Sequence, residues 1–215
     1  MRMNRVILAY SRLHGQLPAA VRARWRARLS PAHALRLSKD PRAQSRTLLG
    51  VALACRLLSA AGGRKVEPHE LRYTRHGRPQ APGLPDFSVA HAGAWVVCAL
   101  ASGGSVGVDI EPIVSRAALP GWQGAFDTTE LAAARSPRRA LAIWTAKEAA
   151  LKAAGATLGE LAQVRVRGQR VEFRGRRWYC RAPRLTTGTV TRVVTARPVT
   201  RLLREAVPAS VALAS

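Results

Sequence analysis

The chain has 215 residues, 47% of them hydrophobic, which suffices for one large domain or two small ones with a packed core and argues against a disordered or fibrous protein. Lysine and arginine number 35 against 12 aspartate and glutamate, a formal net charge of +23, so a polyanionic partner is expected: nucleic acid, an acidic membrane surface or an acidic protein. Three scattered cysteines without CxxC spacing argue against a disulfide framework or a zinc site, and the N-terminal apolar run VILAY is too short for a signal-peptide core or a membrane span, which predicts a cytoplasmic protein with buried thiols.

In chain order, residues 41–61 predict a helix. Asp40 can cap it, Pro41 suits its first position, Leu48, Leu49, Leu53, Leu57 and Leu58 recur at helical spacing, and Gly62-Gly63 ends it. Arg42 and Arg46 in its first turns oppose the helix dipole, which fits either a solvated surface or an anion docked there. A Gly/Pro-rich connector, HGRPQAPGLPD, precedes three strand-like runs, FSVAH, AWVVCAL and SVGVDIE; the turn ASGGS between the last two predicts an antiparallel meander. A second helix is expected over Pro137–Ala154, capped by Ser136 and stopped by Gly155, followed by β-rich runs up to residue 196. Helix followed by meander, twice, predicts an α+β chain of two similar halves, residues 1–112 and 113–215, each a helix packed on a three-stranded antiparallel meander.

Two of the few acids sit two residues apart in GVDIE. In a strand, Val106, Val108 and Ile110 share one face, while Gly107, Asp109 and Glu111 share the other. On the second helix, Leu141, Trp144, Glu148 and Lys152 form one stripe. The chain holds 31 arginines and only four lysines, yet two of those lysines, Lys147 and Lys152, fall in WTAKEAALK, where a compact cation able to donate a proton is called for. Asp109, Glu111 and Glu148 together make an oxygen-only site suited to Mg²⁺, with Mn²⁺ as the alternative ion, and to chemistry on a phosphate. Blander readings exist: a solvated strand face for Asp109 and Glu111, a surface salt bridge for Glu148 and Lys152, and a helix cap for Asp127 with Glu130.

Taken together, FSVAHAGAWVVCA, VGVDIEPI and WTAKEAALK, in this order and separation, resemble the three signature blocks of the surfactin-synthetase-activating type of 4′-phosphopantetheinyl transferases, and SPAHALRL, SRTLLG and GRP extend the likeness over roughly residues 30–155. The resemblance implies an α/β pseudo-dimer within one chain, with coenzyme A as substrate and Mg²⁺ bound between the halves. It implies that Asp109, Glu111 and Glu148 hold the metal, that Glu148 helps deprotonate a carrier-protein serine, and that Lys152 stabilises or protonates the departing 3′,5′-adenosine bisphosphate. His91 and Arg46 match phosphate-contacting positions, Arg78 a position near the adenine, and His33 and Arg36 the basic contacts of the 3′-phosphate. The implied partner is an acidic apo acyl or peptidyl carrier protein of fatty acid, polyketide or nonribosomal peptide synthesis, served by a monomer without nucleic acid or membrane.

This chain departs from the family at Ala90 and Ala92, where serines usually flank the histidine, and at His33, where a permanent cation is common. The competing reading is a basic nucleic-acid-binding module, motivated by the charge and by VRARWRARL. Against it stand the lack of any nucleic-acid-binding motif, an aromatic content of 5%, and the gathering of acids at one site.

Overall fold

The structure is a computed structural model that describes residues 4–113 and 122–214. Eleven strands and seven α-helices are found among these residues. Strands β1 (Arg5–Arg12), β4 (Asp86–Ala92), β5 (Trp95–Ala101) and β11 (Arg201–Ala206) form a four-stranded sheet in the order β11-β1-β5-β4, in which β1 and β11 run parallel. Strands β6 (Val106–Pro112), β7 (Arg165–Arg167), β8 (Arg170–Phe173), β9 (Arg176–Arg181) and β10 (Thr189–Thr195) form a five-stranded sheet in the order β6-β10-β9-β8-β7. Two short strands, β2 (Arg72–Tyr73) and β3 (Pro79–Gln80), pair separately.

The two long helices form where their caps predict. Asp40 accepts hydrogen bonds from the Arg42 and Ala43 backbones at the start of α3 (Pro41–Gly62), and Gly63 closes it in the left-handed conformation at φ 66°. For α6 (Pro137–Ala154), Ser136 accepts from the Arg139 backbone and Gly155 ends the helix at φ 66°. Between them lie the short α4 (Trp122–Ala125) and α5 (Thr128–Ala133); α1 (Ala19–Ala27), α2 (Pro31–Arg36) and α7 (Ala209–Ala212) complete the set.

Packing makes four layers. The apolar stripe of α3, including Leu48, Leu49 and Leu53, covers Phe87, Val96, Cys98 and Leu100 of the first sheet. The opposite face of that sheet, with Val6, Leu8, Val97 and Ala99, meets Val106, Val108, Ile110 and Val193 of the second. Ala146, Ala149, Ala150 and Ala153 of α6 then close the outer face of the second sheet against Phe173, Trp178 and Val194. A strand buried on both faces needs a continuous apolar run, which is why β5 reads WVVCALA without alternation.

The expected three-stranded meander is corrected here. Strand β5 already pairs with β4 on one edge and β1 on the other, so both of its hydrogen-bonding edges are occupied and β6 finds no place beside it. β6 crosses instead to the second sheet, where it pairs antiparallel with β10. Its other edge meets β4 through side chains: Ser88 Oγ accepts the Val108 N–H at 3.1 Å, and Asp86 Oδ2 accepts the Val106 N–H at 2.8 Å. This seam joins the two sheets, and a strand of residues 1–112 thereby belongs to the sheet built mostly from residues 113–215.

The basic stretch VRARWRARL lies in and just after α1, where most of its polar groups serve the fold. Arg24 Nη2 and Trp25 Nε1 both donate to the Leu213 carbonyl, Arg22 donates to the Leu17 carbonyl, and Arg28 pairs with Glu67 at 2.8 Å. Cys55, Cys98 and Cys180 are buried free thiols, and no helix among the described residues is long and apolar enough to cross a membrane.

Candidate metal and phosphate site

The site is built where α6 crosses β6. At Gly107 the helix backbone comes so close that a Cβ there would lie 1.9 Å from the Ala149 carbonyl oxygen and 2.5 Å from the Ala153 nitrogen. Only glycine permits this approach, and it sets Glu148 and Lys152 over Asp109 and Glu111, which share the Gly107 face of the strand. Oxygens of Asp109, Glu111 and Glu148 lie within 4.8 Å of one another. Asp109 is buried, and the other two carboxylates are half-buried.

Lys152 does not pair with Glu148 along its own helix. Its Nζ reaches across to Asp109 Oδ1 at 2.7 Å, which leaves Asp109 Oδ2 buried without a partner. The remaining electrostatics are repulsive. Burial and then the charges of Asp109 and Glu148 push Glu111 up to about 7. Burial and then Asp109 raise Glu148, opposed by Lys152 and a hydrogen bond with Trp144; burial also raises Asp109 against the pull of Lys152. Three oxygen donors, an orphaned carboxylate oxygen and mutual repulsion fit a hard divalent cation of the Mg²⁺ type.

This arrangement carries a pH dependence. A carboxylate raised to about 7 is protonated in acid, and a cation must displace that proton. Apparent Mg²⁺ affinity is therefore expected to rise about tenfold per pH unit from pH 5 to 7 and to flatten above, with about one proton released per metal near pH 6. Calorimetry in buffers of different ionisation enthalpy measures both quantities. In Glu111→Gln the proton release should fall; an unaltered release would remove Glu111 from the ligand set.

Around the acidic cluster the structure gathers the basic residues unevenly. His91, at the end of β4, is exposed rather than a core histidine; desolvation and then the charges of Arg46 and Lys152 hold it below the ordinary histidine value. The charges of Arg46 on α3 and Lys152 on α6 both act on His91 of β4. A cavity of about 200 Å³ between α3 and β4 is lined by both His33 and His91, together with Thr47 and Tyr73. Arg36 is exposed at the end of α2.

His33 is not a surface cation. It is buried with its ring centroid 4.1 Å from that of Tyr73, its Nδ1 has no partner, and burial followed by Arg36 lowers its pKa, so it is largely neutral at pH 7. Arg78 is also more enclosed than a free phosphate contact: its Nη2 bonds Asp86 Oδ2 at 2.6 Å and the Val106 carbonyl at 3.2 Å across the seam. Its Nε is buried without an acceptor.

Lys147, the other lysine of WTAKEAALK, turns away from the site. Its Nζ bonds Glu130 Oε2 at 2.7 Å and donates to the Ala125 and Val164 carbonyls, each at 2.6 Å, with both charged side chains fully buried. Glu130 completes the capping box of α5 with Asp127, as the cap reading expects, and also accepts the Val166 N–H at 2.7 Å. The compact ammonium is needed here for packing, where its three donors meet three acceptors.

Sequence reasoning missed Asp86, Ser88 and the hydrogen bond between Trp144 and Glu148. Trp144 reads from sequence as packing alone, although its place one turn before Glu148 on the same stripe put its indole within reach.

Residues 105–192 match the 4′-phosphopantetheinyl transferase superfamily. A 4′-phosphopantetheinyl transferase of Bacillus subtilis is 37% identical over 68 residues, a stretch covering 31% of this chain and 30% of that protein. The segment that supplies Asp109, Glu111, Glu148 and Lys152 is thus the segment that is similar to the 4′-phosphopantetheinyl transferase superfamily.

Proposed function

We propose that this protein transfers the 4′-phosphopantetheine arm of coenzyme A to a serine of an apo acyl or peptidyl carrier protein, releasing 3′,5′-adenosine bisphosphate. In this reading the halves 1–112 and 113–215 form a pseudo-dimer with the site between them, acting as a cytoplasmic monomer. The observation that carries it is the acidic trio drawn from β6 and α6 with Lys152 bonded to Asp109 within it.

Asp109, Glu111 and Glu148 would hold Mg²⁺, which when bound supplies charge neutralisation at the pyrophosphate. Glu148, directly or through water, helps take the proton from the carrier serine as that oxygen attacks the phosphate. Lys152, positioned by Asp109, faces the oxygen that leaves and neutralises or protonates it. Arg46 and His91 orient the phosphates, and His91 also lines the cavity that holds His33 and Tyr73. A neutral His33 contributes a hydrogen bond there rather than charge. Arg78, with a free Nε–H, both ties the seam and offers a donor to a ligand oxygen.

Mass spectrometry of an apo carrier incubated with this protein, coenzyme A and Mg²⁺ tests the reading, because transfer adds one phosphopantetheine. Asp109→Ala is expected to lose transfer by about a hundredfold or more. Lys152→Arg should keep much of the coenzyme A affinity yet lose turnover by about tenfold or more, since a guanidinium is larger and does not release a proton. Full turnover by Lys152→Arg would leave only electrostatic stabilisation to that residue.

A further inference from the structure

The outer strands of the second sheet carry a face that the reaction does not use. Val166, Val171, Trp178 and Cys180 point into the core beneath α6, so their neighbours on β7, β8 and β9 point the other way. The register sets two rows across that opposite face: Arg167, Arg170 and Tyr179, then Arg165, Glu172 and Arg177. All six are exposed or half-buried. Arg181, two residues beyond Tyr179, continues the face and donates to Gln169 Oε1 at 2.8 Å.

Positive charge on this face exceeds its local partners. Arg167 stands directly opposite Arg170, a like-charge pair that destabilises the ladder. Asp127, at the edge of the face, takes both Arg165 and Arg167, at 3.3 and 2.8 Å. Arg170 and Arg177 make no hydrogen bond or ion pair among the described residues, although Glu172 lies opposite Arg177. Toward the β8–β9 turn a cavity of about 330 Å³ is lined by Arg165, Arg174, Arg176 and Arg177. Guanidinium groups set out in this way suit a chain of phosphates, each of which accepts paired hydrogen bonds from the planar fork.

Tyr179 narrows the class of polyanion. It is half-buried beside Arg170, and its phenol has no hydrogen-bond partner among the described residues. An aromatic ring set among cations is the arrangement on which unpaired bases stack while the arginines follow the backbone. An anionic bilayer would instead be met by large apolar side chains, and the two rows contain none.

We propose that the outer face of β7, β8 and β9 binds single-stranded nucleic acid, with Arg167, Arg170 and Arg177 on its phosphates and Tyr179 stacked on a base. The face lies on the side of the sheet opposite α6, Asp109 and Glu111, so it adds a second binding activity and stands independently of the transferase reading.

Fluorescence anisotropy of a labelled 20-nucleotide oligothymidylate with the full chain tests it, at about 50 mM salt, where phosphate contacts are strongest. Arg170→Glu/Arg177→Glu is expected to weaken binding about tenfold or more and to flatten the log–log salt slope by about 1.4, the share of two phosphate contacts. Arg26→Glu/Arg201→Glu, an equal charge change at exposed arginines elsewhere, should weaken it less than about twofold. Tyr179→Leu should lose about tenfold with the salt slope unchanged, and Tyr179→Phe, which keeps the ring, should bind like the wild type. Thermal unfolding checks that each variant is folded. Equal weakening by the Arg26/Arg201 pair would reduce the effect to net charge and overturn the face. Wild-type affinity in Tyr179→Leu overturns base stacking, and displacement of the oligonucleotide by polyglutamate at matched charge reassigns the face to an acidic protein; either result sinks the nucleic-acid proposal.

Discussion

Replacing Lys147 with methionine is expected to destabilise the fold by about 3–5 kcal/mol, the cost of breaking a buried ion pair from one side. The methionine fills much of the volume but leaves Glu130 as a fully buried carboxylate without its cation, and the Ala125 and Val164 carbonyls without a donor. Lys147→Arg should also destabilise, although it keeps the charge, because the space around Nζ is closed on every side. Urea denaturation measures both, and a Glu130→Gln/Lys147→Met double variant should lose less than the sum of the single changes. A Lys147→Met protein within 1 kcal/mol of the wild type, by the scale of an ordinary surface pair, would show that the buried pair contributes little. The consequence extends to function. Lys147 precedes Glu148 and anchors α6 to the Ala125 and Val164 carbonyls, so loosening this anchor lets the side of the helix that carries Glu148 turn.

Gly107→Ala tests the same helix from beneath. The new methyl would meet backbone atoms at 1.9 and 2.5 Å, and backbone cannot swing aside as a flexible side chain can, so α6 must lift from β6. Overpacking of this kind costs about 1–3 kcal/mol, and the backbone contact puts this case at the upper end or beyond. The lift separates Glu148 from Asp109 and Glu111, whose oxygens now lie within 4.8 Å of one another. A displacement of about 1 Å in a positioned site can reduce turnover about a hundredfold, and weaker Mg²⁺ binding should accompany it. Measuring metal affinity and thermal stability on one preparation separates the two effects. Ordinary Mg²⁺ affinity in a folded Gly107→Ala protein would show that the close approach is not what assembles the ligands.

The two sides of α6 face opposite charges. One side holds three carboxylates that repel one another; on the other, Arg135 and Arg192 donate to backbone carbonyls and pair with no carboxylate among the described residues. Much of the positive charge elsewhere is engaged locally, as in the Arg28–Glu67, Arg64–Glu70 and Arg167–Asp127 pairs, so the net charge alone is a poor guide to where an acidic partner binds. The arginines that lack carboxylates are the informative ones.

The sequence alone determined what depends on neighbours along the chain. The caps of α3 and α6 need only a polar side chain and a glycine at their ends, and both helices begin and stop where those residues predict. Strand alternation in GVDIE put Gly107, Asp109 and Glu111 on one face, and helical spacing put Trp144, Glu148 and Lys152 on another, so the acidic trio was legible before any fold was known. Tertiary structure decided what depends on which edges and volumes are already filled. β6 joins the second sheet because β1, distant in sequence, occupies the edge of β5 that a meander would have used. Lys147 and Lys152 are both lysines on one helix. Only the enclosure around one and the nearness of Asp109 to the other bury the first as a structural cation and set the second beside the acidic trio. His33 likewise looks like a charge in a basic segment, yet burial against Tyr73 makes it largely neutral, since desolvation acts through three-dimensional surroundings that no spacing along the chain encodes.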